Sequence, residues 1–314
     1  MPRTYSRAET LSASARDHVS VCICTYKRSK SLTRLLSELQ NQVSDGLFTY
    51  SVVVVDNDHM QSAKSVVESF KERSFIDINY YNEPIQNIAL ARNKAIEHAT
   101  GDFVGFIDDD ECPSDTWLYK LYTTLEKYGV DGVLGPVKPH FEIEPPEWIT
   151  KGKLCERPSF KTGSLLSCKY SRTGNVLFTK KIFDNMDNLF NPDFGQTGGE
   201  DVDFFRRMAK KGHTFVWCDE APVYETVPPE RLKRSYFLRR ALLRGSVSFR
   251  ITSQYSNVNQ IPMSVLAFSI YTLALPVFFF LGHHIFMKYL IKDCDHLGKL
   301  LAACGINVIK ERFG

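Results

Sequence analysis

The sequence predicts an α/β protein built on a doubly wound, mostly parallel sheet with helices on both faces, followed by a C-terminal helical tail. Three observations carry this. Short apolar runs rich in β-branched and aromatic residues alternate with segments of helical spacing through the first half of the chain. Two of those runs end in acids, Asp56 and Asp108-Asp109-Asp110, at the strand ends where open α/β sheets bind ligands. The last third of the chain changes to long basic and apolar helical segments.

Taken in order, residues 1–17 are polar, lack the apolar core of a secretory signal and are predicted to be a disordered lead-in. His18–Thr25 reads as a buried strand, Leu32–Gln42 as a helix, Tyr50–Val55 as a second strand ending in Asp56, and Ala63–Arg73 as a helix. Ile76–Tyr81 is a short strand. In Ile88–Ala99 the residues Ile88, Ala91, Ala95, Ile96 and Ala99 fall on one helical face. Phe103–Ile107 is the buried strand that runs into the three aspartates. A helix over Trp117–Tyr128 and a strand over Gly132–Val137 follow. His140–Lys169 carries Pro145-Pro146 and little periodicity, and long loops of this kind are usually functional. Trp148 in it is either a sugar-stacking platform or a local core anchor. Gly174–Thr179 resumes strand character, Glu200–Lys211 is helical behind Gly198-Gly199, Phe215–Trp217 is a short strand, and Pro228-Pro229 marks a boundary. A catalytic domain over 18–230 and a tail over 231–314 are expected.

Composition narrows the function. Of 314 residues 43% are hydrophobic and 24% charged, as in ordinary folded proteins, and a formal charge of +3 argues against nucleic acid as a partner. The eight cysteines include no C-x-x-C pair, which argues against a zinc site and for a reducing compartment. Residues 231–250 hold seven basic side chains and no acid. Ile261–Leu281 is 21 residues without a charge, long enough to span a bilayer, interrupted by Pro276 and flanked on both sides by basic residues. Positive flanks on both sides contradict a single span and fit a re-entrant or interfacial hairpin kinked near Pro276. The alternative is a helical pair packed on the catalytic domain or on a second subunit. Membrane contact is expected through residues 231–292.

Several polar residues are candidates for chemistry. Asp56 suits a base N–H or a ribose hydroxyl, and otherwise forms a turn. Three adjacent carboxylates repel one another, and a hard divalent cation, Mg²⁺ or Mn²⁺, bridging Asp110 to a diphosphate relieves that repulsion. A solvated acidic turn is the other reading. Arg92, on the Ile88–Ala99 helix, would bring a guanidinium to a nucleotide or is an exposed helix charge. Glu200 and Asp201 fall in the first turn of a helix, where the dipole favours anions, or serve as a general base that takes a proton from an attacking hydroxyl.

The ordered set Cys24-Thr25-Tyr26-Lys27-Arg28, Val55-Asp56-Asn57, Ala91-Arg92-Asn93, Asp108-Asp109-Asp110 and Gly199-Glu200-Asp201 resembles the inverting family 2 glycosyltransferases of GT-A fold, over about residues 18–245. Pro145-Pro146-Glu147-Trp148 and Val227-Pro228-Pro229-Glu230-Arg231-Leu232 are similar to the bacterial exopolysaccharide enzymes of the succinoglycan type. The resemblance implies a UDP-sugar donor with Thr25 and Asp56 in the uridine pocket, Arg92 supporting the nucleotide and Asp109 at the ribose. Asp110 would hold Mg²⁺ or Mn²⁺, with Asp108 opening the D-x-D triplet. Asp201 would be the catalytic base with Glu200 beside it. It further implies a lipid-linked or oligosaccharide acceptor, a β-glycosidic product and a place on the cytoplasmic face of a bacterial inner membrane. Many relatives carry a histidine near the position of Tyr224; here Glu225 follows instead. Competing readings are transfer to polyprenyl phosphate, a sugar nucleotidyltransferase, which the absence of a Gly-rich phosphate loop after the first strand disfavours, and a non-catalytic nucleotide-sugar-binding subunit.

Overall fold

Residues 16–184, 189–255 and 260–306 are described by the structure, a computed structural model. The lead-in expected over 1–17 lies outside the described residues up to residue 15, and Asp17 already opens the first strand. The main sheet starts with β1 (Asp17–Thr25), which leads through α1 (Ser29–Leu39) to β2 (Phe48–Asp56), α2 (Lys64–Lys71), β3 (Asp77–Asn82), α3 (Ile88–His98) and β4 (Phe103–Phe106). After it come β5 (Glu111–Pro113), α4 (Trp117–Tyr128), β6 (Gly132–Leu134), β7 (Val137–Phe141), α5 (Glu147–Gly152), β8 (Val176–Thr179), α6 (Glu200–Lys210), β9 (Phe215–Trp217) and β10 (Val223–Val227).

Seven strands form one sheet in the order β3-β2-β1-β4-β8-β6-β9. Four of its six pairings are parallel; β8 runs antiparallel to both β4 and β6. Alternation along the strands buries both faces. Val19, Val21 and Ile23 pack with Leu32, Leu35 and Leu36 of α1 and Trp117 of α4. Cys22, Val53 and Val55 face the other way, against Ala91 and Ala95 of α3 and Phe204 and Phe205 of α6. The α3 alanines explain how that helix lies close on the sheet. All eight cysteines are free thiols.

A second sheet, β5-β10-β7, was not legible as strands in the sequence. Its members are short and carry charges, Glu111 on β5 and Glu225 on β10, which face each other in the antiparallel register. The segment over 140–169 also holds more order than its composition suggests. Its helix α5 presents Trp148 edge-on to Phe237 with ring centroids 5.4 Å apart, so Trp148 is a packing anchor between that segment and the C-terminal helices.

Beyond a 3₁₀ turn at Pro229–Leu232, the chain forms α7 (Arg234–Tyr255), α8 (Ile261–Leu281) and α9 (His283–Ala303). Helix α8 continues through Pro276, and the reversal falls at Gly282, whose φ of 128° suits glycine. Helices α7 and α9 touch through glycines. A Cβ on Gly245 would lie 2.1 Å from the Asp295 carbonyl oxygen, and one on Gly298 2.2 Å from that of Leu242. Arg244 and Asp295 pair beside this contact. Ile149, Val227, Leu232, Phe237, Ala241 and Ile291 then join the helices to α5 and the second sheet. Helix α8 packs on α9 and leaves most of its apolar surface exposed, Leu273 at 80% and Phe280 at 87%. Among the described residues it is the one helix long and apolar enough to cross a membrane, by length and composition.

Gly298→Ala is expected to force α9 off α7 and to lower unfolding stability by about 1–3 kcal/mol. Urea denaturation followed by circular dichroism measures it, and an unchanged midpoint would show that the helices do not need the close approach.

Candidate functional site

Register places the site. In the β1–β2 ladder Thr25 lies opposite Asp56, and in the β1–β4 ladder Cys22 lies opposite Phe106, so the aspartates after β4 emerge beside Thr25 at the same sheet edge. Thr25 donates a hydrogen bond from Oγ1 to Asp109 Oδ2 at 2.7 Å, and both side chains are buried. Arg28, three residues past the strand, reaches Asp109 Oδ1 at 2.8 Å and Asp110 Oδ2 at 2.9 Å through Nη1. Asp108 is the exposed member of the triplet.

Burial pushes the Asp110 carboxyl up to about 6; Arg28 opposes that shift, while Asp108, Asp109 and Glu225 add to it. Asp109 is also raised by burial, against the pull of Arg28 and Thr25. Glu111 is buried and held well above the usual carboxylate range by burial first and Asp108 second. Its Oε2 accepts from the Asp108 backbone N–H at 3.1 Å. Glu225 behaves oppositely. Burial would raise it, but Arg157, Arg231 and Arg240 outweigh burial and hold it low. Arg231 donates from Nη1 to Glu225 Oε1 at 2.8 Å and stands 3.4 Å from Asp110 Oδ2 through Nη2. Arg157 bonds the other Glu225 oxygen.

The second half of the site comes from α3 and α6. Arg92 is buried on α3, donates from Nη1 to Glu200 Oε1, lies 3.9 Å from Asp108 Oδ1 and covers the Phe190 ring at 5.6 Å. Burial works against its charge, but Glu200, Asp108 and Asp201 outweigh burial and raise its pKa above the usual arginine value. Glu200 and Asp201 open α6 after Gly198 and Gly199, whose φ values of 85° and 104° only glycine adopts readily. Asp201 is half-buried and accepts from the Val202 N–H at 2.7 Å. Asn93 clamps Phe190 through two backbone hydrogen bonds, and Asn87 caps α3 while donating to the Pro192 carbonyl. Helix α7 closes the other side. A Cβ on Gly199 would meet Val247 at 2.5 Å, and Tyr255 bonds Asp203.

The structure therefore brings Thr25, Arg92, Asp108, Asp109, Asp110 and Glu200 into one chain of contacts, with Asp201 next to it. Asp56 stands apart. It is fully buried, and its oxygens accept from the N–H groups of Asp58 and Ala63 and from the Tyr80 hydroxyl, so it fixes the loop after β2. Arg157, Glu111 and Asn87 were not singled out by the sequence, and Arg28, Asn93 and Arg231 stood in its motifs without a role of their own. Arg28 had a signal, since it follows the carboxyl end of β1.

Among the described residues no three His, Cys, Asp or Glu side chains converge as a metal cage. Asp110 is a hard oxygen donor at the sheet edge. It would suit a hard Mg²⁺ or Mn²⁺ ion.

Comparison with known proteins matches this arrangement. The family described as Glycosyl transferase family 2 matches residues 20–187. The succinoglycan biosynthesis protein ExoM of Rhizobium meliloti (strain 1021) is 32% identical over 238 residues, covering 76% of this chain and 76% of that protein. Among solved structures, the mannosyltransferase PcManGT from Pyrobaculum calidifontis, in complex with GDP-Man and Mn²⁺, superposes with a TM-score of 0.57 at 18% identity, over 91% of this chain and 87% of that one. S. aureus TarS 1-349 in complex with UDP superposes with a TM-score of 0.50 at 18% identity, over 93% of each chain. These two share the fold, GT-A. With more than half of its length in the family match and a third of its residues shared with ExoM over three quarters of both chains, the chain belongs to the family 2 glycosyltransferases.

Proposed function

We propose that the chain moves a hexose from a UDP-sugar to a lipid-linked saccharide acceptor with inversion, forming a β-glycosidic bond in the assembly of a surface polysaccharide or exopolysaccharide. The observation that carries this reading is Arg92, whose guanidinium sits between Asp108 of the donor-side triplet and Glu200 beside Asp201. A donor held by the strand ends then has a carboxylate within the same site. The name of ExoM supports polysaccharide assembly, and the UDP bound by TarS supports a uridine donor.

In this reading Thr25, Arg92, Asp108 and Asp109 hold the nucleotide, and Asp56 shapes its pocket from below by fixing the loop after β2. Asp110 would be the protein ligand of Mg²⁺ or Mn²⁺, which when bound neutralises charge developing on the leaving diphosphate. Asp201 takes the proton from the acceptor hydroxyl, whose oxygen attacks the anomeric carbon from the face opposite the diphosphate. Glu200, tied to Arg92, keeps the first turn of α6 in place beside it. One displacement inverts the centre, so no covalent enzyme intermediate is required. The exposed apolar face of α8 and the exposed Lys233, Arg234, Arg239 and Arg240 support docking on the cytoplasmic face of a bacterial inner membrane, where a lipid-linked acceptor presents its sugar. On this reading 18–230 is the catalytic unit and 231–314 the docking unit.

Asp201→Asn is expected to lower transfer by about 100-fold or more while UDP affinity, read by calorimetry, stays within about twofold. Full transfer by that variant would remove Asp201 as the base. EDTA is expected to abolish transfer of labelled sugar, and Mg²⁺ or Mn²⁺ to restore it in the native protein but not in Asp110→Asn. Activity that survives EDTA would exclude the metal. The double replacement Leu273→Glu with Phe280→Glu is expected to stop the full chain from floating with anionic vesicles; unchanged flotation would place the docking surface elsewhere.

A further inference from the structure

Asp110 Oδ2 faces two guanidinium groups at once, Arg28 at 2.9 Å and Arg231 at 3.4 Å. Two single positive charges on one oxygen equal the charge of one divalent cation. Arg231 also bonds Glu225 Oε1 at 2.8 Å, so it spans an acid at the turn between β4 and β5 and one in the middle of β10. The side chains of Asp110 and Glu225 are only 13% and 20% exposed, and carboxylates so placed are costly without counter-charge.

The same geometry says which of the two cations can leave. Arg28 is held a second time by Asp109, itself fixed by Thr25. Glu225 keeps Arg157 when Arg231 goes. The Arg231 contact with Asp110 is the longest in the group, and Arg231 rides on the short turn between β10 and α7. Its departure leaves Glu225 with Arg157, and Asp109 and Asp110 sharing Arg28.

Building on the assignment of Asp110 to a divalent cation, we infer that Arg231 is a tethered counter-ion. It fills the cation's place on Asp110 while the donor is absent, and it passes to the donor's diphosphate when the metal arrives. The exchange balances charge. The metal takes over the carboxylate, and the diphosphate supplies Arg231 with new anionic oxygens, for which a guanidinium fork is suited. Metal alone must displace Arg231 and leave it without that partner. Metal and nucleoside diphosphate therefore help each other bind by the same factor. Arg231 is then a binding and positioning residue of the donor site contributed by the connection to the C-terminal helices.

Mn²⁺ binding to the full chain in detergent, read from the electron paramagnetic resonance of free Mn²⁺ with and without UDP, tests this. The native protein is expected to bind Mn²⁺ weakly alone and more tightly with UDP. Arg231→Gln, with its fold checked by thermal melting, is expected to bind Mn²⁺ alone about tenfold more tightly and to lose most of the UDP coupling. Arg231→Lys keeps the charge and loses the fork, so Mn²⁺ alone stays weak while the UDP coupling falls. Unchanged or weaker binding of Mn²⁺ alone by Arg231→Gln overturns the inference and leaves the glycosyltransferase reading intact. Native-like binding of Mn²⁺ with UDP by Asp110→Asn instead overturns the assignment of Asp110 and, with it, the role given to Arg231.

Discussion

A guanidinium buried in the middle of α3 holds this site together. Arg92 has given up almost all contact with water, and its charge is answered by Glu200, which bonds it, and by Asp108 and Asp201, which lie close. Removing either member of such a pair leaves the other desolvated and alone, a loss of about 3–5 kcal/mol. The pair joins positions 108 residues apart, and it does not act by itself. Asn87 reaches the Pro192 carbonyl and Asn93 grips Phe190, so the segment that carries Glu200 and Asp201 is wrapped on α3 at three points. The first turn of α6 is thereby fixed relative to the strand ends, although nothing in the sheet connects the two directly.

Environment, more than residue type, separates the acids of this site. Asp56 and Asp109 both follow strands and both are buried. Asp56 is saturated by backbone N–H groups of its own loop and by the Tyr80 hydroxyl of β3, which makes it a structural acceptor. Asp109 is answered by side chains alone, Thr25 from the end of β1 and Arg28 just past it, which places it at the ligand-binding end of the sheet. Glu111 and Glu225 form a sharper contrast. They are register partners on β5 and β10, yet Glu111 is pushed toward its neutral form while Glu225, with Arg157 and Arg231 on it, is held ionised.

The parts of the fold that were legible are those in which burial imposes a pattern. β1, β2 and β4 are covered on both faces, so they read as apolar runs, and the acids at their ends follow from parallel topology. The three-stranded sheet was not legible, because strands of three to five residues bearing Glu111 and Glu225 have no apolar period to detect. Arg28 stood in the Cys24–Arg28 motif without a role of its own, and Arg231 in a basic stretch read as a membrane contact; only the fold brings both onto Asp110. The link between Asp110 and Asp201 came from the ordered motifs and from no property of either residue. Trp148, with a platform and an anchor role both open, is decided by Phe237, a residue 89 positions later that no local pattern indicates.

Helix α7 makes the C-terminal region more than an attachment. Its lead-in turn carries Arg231 onto Asp110 and Glu225, and its far end supplies Val247 and Ile251 against Gly199, Arg250 to Thr197 and Tyr255 to Asp203. One helix thus supports both halves of the site. Helix α7 in turn is packed on α9 through Gly245 and Gly298, a contact tighter than any side chain would allow. Truncation after α7 would remove that support along with α8, and a loss of activity would then report on the site as much as on the membrane. Docking and chemistry separate only where the structure separates them, which is on the exposed face of α8 around Leu273 and Phe280.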